Sequence, residues 1–199
     1  MKTYELTLPV SSEAVKKLEV GDTVYLNGTV CTARDMAHLE LRRLLEQGKE
    51  SPVDLHGAAI FHAGPVCVKD GDKWNLRVIG PTTSIRMEPH AEWVGRDLGV
   101  KFIIGKGGMG KGSLDAFKKY GQAYLQACPG CAVVLSEGIR QVREVHWIEN
   151  GMPEAMWVLE AEKFGPFVVT MDAHGNSRYD NIKADAIRAA DKAYPSSMA

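Results

Sequence analysis

Three turns in the sequence place cations beside groups that bind anions. The first is Ala33-Arg34-Asp35, with His38 one helical turn further on. Taking Thr32 as the cap of the following helix, with Asp35 completing a short capping box, puts Arg34 in the first turn. The helix dipole disfavours a cation there by roughly 0.3–1 kcal/mol. Arg34 gains from that place only if an anion meets both its guanidinium and the free backbone N–H groups. A guanidinium also grips a carboxylate through two parallel hydrogen bonds. The plainer reading is a surface Arg34 paired with Asp35 or Glu40, and a solvent-facing His38. The second turn, Gly80-Pro81-Thr82-Thr83-Ser84-Ile85-Arg86, offers three hydroxyls and a guanidinium directly after a strand. Hydroxyls and N–H groups in such a turn can cradle an oxyanion. A proline-initiated turn with a threonine cap explains the same residues without a ligand.

The third turn is glycine-rich, with five glycines in the eight residues from Gly105 to Gly112. It lies between an apolar strand and a helix, a recurrent anion site, and Lys106 would point its ammonium into the same mouth. The stretch also supports a rival, a nucleotide-binding module. Gly105, Gly107 and Gly110 satisfy G-x-G-x-x-G, and a strand at Ala132–Leu135 would lead to Glu137 as a ribose ligand. Against this, the spacing to Glu137 is long and regular βα units do not follow. The stretch also misses a P-loop, because Gly112 stands where the Mg²⁺-binding hydroxyl belongs.

Four cysteines are present, Cys31, Cys67, Cys128 and Cys131. Cys128-Pro129-Gly130-Cys131 has the spacing of a redox pair or of half a metal site. The other two are isolated, so no metal is assigned to this chain. Pro129 and Gly130 are read as a turn into the Ala132 strand. His62, before Ala63-Gly64-Pro65, and His174, in Asp172-Ala173-His174-Gly175-Asn176, lie in turn chemistry and are read as structural.

The elements that must hold these turns alternate in type. Strands are expected at Tyr4–Leu8, Thr23–Leu26, Ala58–Val68, Trp74–Ile79 and Val100–Ile104. Others are expected at Ala132–Leu135 and, as a late pair, at Ala155–Glu160 and Phe167–Met171. Lys69-Asp70-Gly71-Asp72 supplies hairpin chemistry. Ala37, Leu41, Leu44 and Leu45 share a helical face that Gly48 ends. Further helices are expected near Pro89, after Ser113 as cap, and over Ile182–Tyr194, with a frayed tail at Pro195–Ala199. This order predicts a mixed α/β domain, one unit over residues 1–199. Lys plus Arg total 24 and Asp plus Glu 25, for a net charge of −1. No global field exists to draw nucleic acid or a membrane, so an anion site must be local. The opening MKTYELTLPV lacks the apolar run of a signal peptide, which predicts a cytoplasmic chain with reduced thiols.

Taken in order, five motifs resemble one family. They are Gly28-Thr29-Val30 with Ala33-Arg34-Asp35-Met36-Ala37-His38, Phe61-His62-Ala63-Gly64-Pro65, Gly80 to Met87, Ile104 to Gly110, and Gly151-Met152-Pro153-Glu154. The family comprises the C-terminal domain of class I fumarases and the β subunit of L(+)-tartrate dehydratase. Glu144-Val145-His146-Trp147 and the Phe164–Asn176 segment lie closer to the latter. The resemblance implies a swivelling β/β/α domain with a mixed sheet or partial barrel and flanking helices. It implies a hydro-lyase that dehydrates a small 2-hydroxydicarboxylate, tartrate or malate, and works only with a partner α subunit. That partner would carry a 4Fe-4S cluster able to act as a Lewis acid on the leaving oxygen. None of the four cysteines here matches a family cluster ligand. The family's active-site threonine falls on Thr82 and its substrate-binding cations on Arg34, Arg86 and Lys106, with Thr83 in the same motif. Asp35, His38 and Gly107 stand beside them as possible site residues. A non-catalytic interaction subunit that has kept the fold is a third possibility.

Overall fold

The longest apolar stretches are strands buried on both faces, and they close a barrel. In the computed structural model, which describes residues 1–193, the chain opens with β1 (Thr3–Thr7), a helical turn α1 (Ser12–Val15) and β2 (Thr23–Thr32). Next come α2 (Asp35–Glu46), β3 (Ala59–Phe61), and a hairpin of β4 (Val66–Asp70) and β5 (Lys73–Val78). A 3-10 turn, Ser84–His90, runs into α3 (Ala91–Arg96), then β6 (Phe102–Gly105), α4 (Lys111–Tyr120) and β7 (Ala123–Gln126). The last elements are α5 (Ala132–Glu137), β8 (Ile139–His146), a 3-10 turn at Ile148–Asn150, β9 (Met156–Met171) and α6 (Arg178–Ala193).

Strands β2, β3, β6 and β7 run parallel, and β9 is antiparallel to both β7 and β2. The ring β2-β3-β6-β7-β9 is therefore closed, with β1 added beside β2 and β8 beside β9. The fold is mixed α/β, a five-strand barrel with flanking helices, as expected. Alternation along each strand divides the core. Ala59, Phe61, Phe102, Ile104, Ala123 and Leu125 join one cluster with Phe164 and Phe167. Ile60, Ile103 and Tyr124 join a second with Ala37 and Leu41 of α2, Trp93 of α3 and Phe117 of α4. Covering both faces explains why β6 reads as an unbroken apolar run. Each fully buried large side chain contributes about 1.5–3 kcal/mol.

Several expected elements change. Thr32 is not a cap but the last residue of β2, where its Oγ1 donates to Ala155 O (3.3 Å) and accepts from Trp157 N (3.0 Å). The N-cap of α2 is Arg34, while Gly48 does stop that helix, in the left-handed region at φ +66°. The expected long strand from Ala58 breaks at His62–Pro65, and its second half pairs only with β5. Ser113 is inside α4, whose cap is Gly110. Ala132–Leu135 is helix, not strand: β7 takes the sheet position beside β6, and Val133 and Val134 face solvent. A short apolar run cannot by itself separate the two. The late strand pair is one strand, β9, bent at Lys163 (φ +49°) and Gly165 with its pairing to β2 shifted there. Tyr194, the last residue of the expected C-terminal helix, and the Pro195–Ala199 tail lie outside the described residues. Among the described residues no helix is long and apolar enough to cross a membrane.

Candidate active site

Parallel strands bring their carboxyl ends to one edge. Thr32 of β2 lies level with Phe61 of β3, Phe61 with Ile104 of β6, and Gly105 with Gln126 of β7. Arg34 leaves the first of these ends and Lys106 the third. The Thr82 loop reaches the same edge by continuing the sheet between β3 and β6. Thr82 N donates to His62 O (2.7 Å), Lys106 N to Thr82 O (3.2 Å) and Ser84 N to Lys106 O (3.0 Å). Thr83 and Lys106 thus form a parallel bridge, and Ala63 and Pro81 an antiparallel one. The backbone of the second and third turns is one ladder.

The first turn joins it through side chains. Arg86 Nη2 meets Asp35 Oδ2 at 3.1 Å, across the first turn of α2. Arg34 Nη2 meets Glu154 Oε1 at 3.1 Å, and Glu154 Oε2 accepts from Met36 N at 3.0 Å. The anion required to reconcile Arg34 with a helix N-terminus is thus supplied by the protein, in Glu154. Asp35 and Glu40 do not pair with Arg34; Glu40 holds Arg43. Arg34 still has capacity, because its Nε is buried without a hydrogen-bond partner. Gly64 is wedged between Pro153 and this guanidinium; a Cβ there would come within 2.8 Å of Pro153 Cβ, 3.0 Å of its Cα and 2.9 Å of Arg34 Nη1. A glycine is required at that point of Phe61-His62-Ala63-Gly64-Pro65.

Beneath the mouth lies a buried polar floor. Ser84 Oγ is 2.9 Å from His62 Nδ1 and accepts from Tyr124 Oη at 2.9 Å. Gly105 rests on this node; a Cβ there would stand 1.9 Å from Ser84 Oγ. His38, expected at the surface, is 1% exposed. It stacks on His90 (4.9 Å between centroids), meets His62 edge-on (5.4 Å), and lies 2.8 Å from Arg34 O through Nδ1. Burial pushes the His38 pKa down to about 4 and that of His62 well below its ordinary value. Both rings are therefore neutral at pH 7. His62 is part of the floor, whereas His174 lies elsewhere, with Nε2 2.9 Å from Lys16 O.

The glycine loop does not present an open helix N-terminus. Glu88 accepts from Gly110 N (2.7 Å), Ser113 N (2.9 Å) and Ser113 Oγ (2.5 Å). The donors a phosphate would need are occupied by a carboxylate, and Glu137 sits on α5 rather than at a strand end. Both features weigh against a nucleotide in this loop. Gly107 stands free at φ +80°, its N–H donating to Gln126 Oε1 (3.2 Å). Gly108, at φ +72°, lies under the Tyr179 ring, which a Cβ would approach to 2.3 Å. Glu88, Gln126, Glu154 and Tyr179 were not singled out from the sequence. Only Glu154 had a signal there, as the end of Gly151-Met152-Pro153-Glu154.

The cysteines do not form a cluster site. Cys31 is in the helix-side core, Cys67 in the barrel-side core, and Cys128 and Cys131 share a surface loop. Among the described residues no three His, Cys, Asp or Glu side chains gather as metal ligands. A three-thiolate iron–sulfur cluster does not fit this chain's residues.

Residues 1–182 match the family model described as Fumarase C-terminus. The L(+)-tartrate dehydratase β subunit of Escherichia coli (strain K12) is 44% identical over 172 residues, covering 86% of this chain and 84% of that protein. A Methanocaldococcus jannaschii protein provisionally named as the same subunit is 45% identical over 174 residues, 87% of this chain and 89% of that one. A Geobacillus stearothermophilus protein provisionally named class I fumarate hydratase is 41% identical over 187 residues. That match covers 94% of this chain but 35% of that protein.

Proposed function

The chain belongs to the Fumarase C-terminus family, and from that premise we propose that it is the substrate-clamping β subunit of an iron–sulfur hydro-lyase acting on a 2-hydroxydicarboxylate. What supports this reading is that the loops bearing Arg34, Arg86 and Lys106 meet at one edge of the barrel, beside Thr82 and Thr83. Tartrate is the favoured substrate, because near-full-length likeness is to proteins named for it; malate is the alternative. The 4Fe-4S cluster belongs to a partner α subunit, since this chain's thiols cannot gather around one. The chain acts as one domain within a cytoplasmic hetero-oligomer.

Dehydration removes a proton from the carbon beside a carboxylate while hydroxide leaves the adjacent carbon. This chain's part is to hold the two carboxylates and favour the charge that builds on one of them. Arg86 and Arg34 are held at the first turn of α2 by Asp35 and Glu154, so their orientation is set before substrate arrives. Fixed donors avoid reorganisation during the reaction, which is where such sites gain most. Lys106 and Thr82 are locked together by their backbone ladder. A neutral alcohol is a very weak base, so Thr82 takes the carbon's proton only as an alkoxide, after its own proton has passed to solvent, and a cation on the adjoining Lys106 loop favours that ionised form. Asp35 acts as a positioning group for Arg86, His38 supports the Arg34 carbonyl, and Gly107 leaves the mouth uncrowded.

The test is assembly with the α chain, followed by kinetics on tartrate and malate. The isolated chain should be colourless and inactive, and the assembled Lys106→Met variant should fold normally with weakened substrate binding and turnover. A brown, active single chain, or unchanged kinetics in Lys106→Met, would sink the reading. Dinucleotide binding abolished by Gly107→Val would transfer support to the nucleotide module.

A further inference from the structure

The Cys128-Pro129-Gly130-Cys131 loop leaves the carboxyl end of β7 beside the glycine loop, and nothing in the proposed dehydration uses it. Ala127, at its start, donates from N to Gly105 O at 2.8 Å. Gly130, at φ +84°, turns the chain back so that Cys131 becomes the residue before α5. Cys128 is exposed and Cys131 half-buried. Cys128 Sγ lies 3.6 Å from Pro129 O inside this turn, and the neighbouring Cys128 thiol pushes the Cys131 pKa up. The other two cysteines are different. Burial, with the nearby Glu144 charge, pushes Cys31 up to about 12, and burial pushes Cys67 up to about 11. Thiolate is the nucleophile, so those two are silent near neutral pH.

We propose that Cys128 and Cys131 form a reversible dithiol–disulfide site, oxidised by exchange with a low-molecular-weight disulfide such as glutathione disulfide. The Cys128 thiolate attacks one sulfur of the incoming disulfide, whose S–S bond breaks. A mixed disulfide forms on Cys128, and the released thiolate takes a proton from solvent. Cys131 then loses its proton to solvent and attacks the Cys128 sulfur. The internal bond forms and the second small thiolate leaves, to be protonated in turn. One small disulfide is reduced to two thiols, and two protein thiols are oxidised to one disulfide. The loop follows directly on Gln126, whose Oε1 accepts from Gly107 N and from Tyr179 Oη (2.5 Å). Closing the disulfide thus stiffens the segment that holds the loop carrying Lys106. The inference does not depend on which reaction the mouth performs.

The experiment is equilibration of the full chain in glutathione buffers of graded redox ratio, followed by thiol trapping and peptide mass spectrometry. The expected result is a disulfide inside the peptide spanning Cys128 and Cys131, formed and reversed across the series, with Cys31 and Cys67 unmodified. Cys128→Ser should abolish it with the fold unchanged, since that side chain is exposed. Hydrogen exchange in the Gly105–Gly108 peptide should slow in the oxidised protein. A pair that stays reduced throughout, or a bond found only to Cys31, Cys67 or a second chain, would overturn the site. An unchanged exchange rate at Gly105–Gly108 would overturn its link to the mouth.

Discussion

The same parallel strands make both ends of the barrel, and the two ends differ in what their polar groups are free to do. Where the strands begin, residues preceding β3, β6 and β7 line a cleft of about 850 Å³, with Lys49, His56, Arg96, Lys101 and Tyr120 around it. Two of its cations are occupied within the cleft. Lys101 Nζ donates to Tyr120 O at 2.7 Å, and Arg96 grips Asp97 through Nε (2.7 Å) and Nη2 (2.8 Å). Where the strands finish, Arg34, Arg86 and Lys106 come from separate loops; the two arginine side chains are held by Glu154 and Asp35, distant in sequence, and Lys106 is held through its backbone. Open sheets of parallel strands bind ligands beyond the carboxyl ends, because loops of different origin meet there. On the reading proposed above the barrel follows the same rule, with its site at the end opposite this cleft.

The largest difference between the ends should appear in kinetics. Arg86→Ala in the assembled enzyme should lower kcat/KM by about 100-fold, the usual scale for losing one charged donor at a developing anion. A fall of less than about threefold would remove the mouth from the reaction. Next, Gly105→Ala should cost roughly 1–3 kcal/mol, because its methyl must displace Ser84 from a packed node. Gly48→Ala, at the cleft, meets nothing within 4 Å and bears only the strain of φ +66°, about 1 kcal/mol. Thermal unfolding of both variants would test that order. Gly48→Ala proving the more damaging would reverse the comparison.

Acid should also act on the mouth. His38 and His62 have folded pKa values depressed by burial, from 6.5 to about 4 for His38. Between these values the unfolded chain binds the proton and the folded chain does not. The stability these rings contribute is thus fully present above about pH 6.5 and is lost as pH falls towards 4. Each ring can add a slope of up to about 1.4 kcal/mol per pH unit. Urea midpoints across this range should flatten in His38→Phe, and an unaltered slope would mean the ring is already charged in the fold. The smallest effect is expected at the far end, where Lys49→Met should leave kcat/KM within about twofold. A loss matching that of Arg86→Ala would break the comparison.

Much of the mouth was legible as residue types. Arg34, Thr82, Thr83, Arg86 and Lys106 lie in short motifs whose chemistry can be named without a fold. His38 was misread because its neighbours His62, His90 and Trp93 come from other segments. Glu88 and Glu154 were missed for the same reason: each acts more than 20 residues away from its own position. Of the differences in elements, those at Ala132–Leu135 and in the bent β9 fall where a short apolar run or an internal glycine–proline pair is ambiguous locally.

The sequence alone determined the mixed α/β class, the glycine loop, the near-neutral charge and the set of cations available to hold a dianion. These are local properties, set by side-chain type and by spacing along the chain. Tertiary structure alone decided that the barrel closes through β2 and β9, that Glu154 and Asp35 hold the two arginines, and that Glu88 occupies the helix end. Those outcomes depend on pairings between distant segments, whose free energy comes from burial and hydrogen bonds that exist only once the chain has folded.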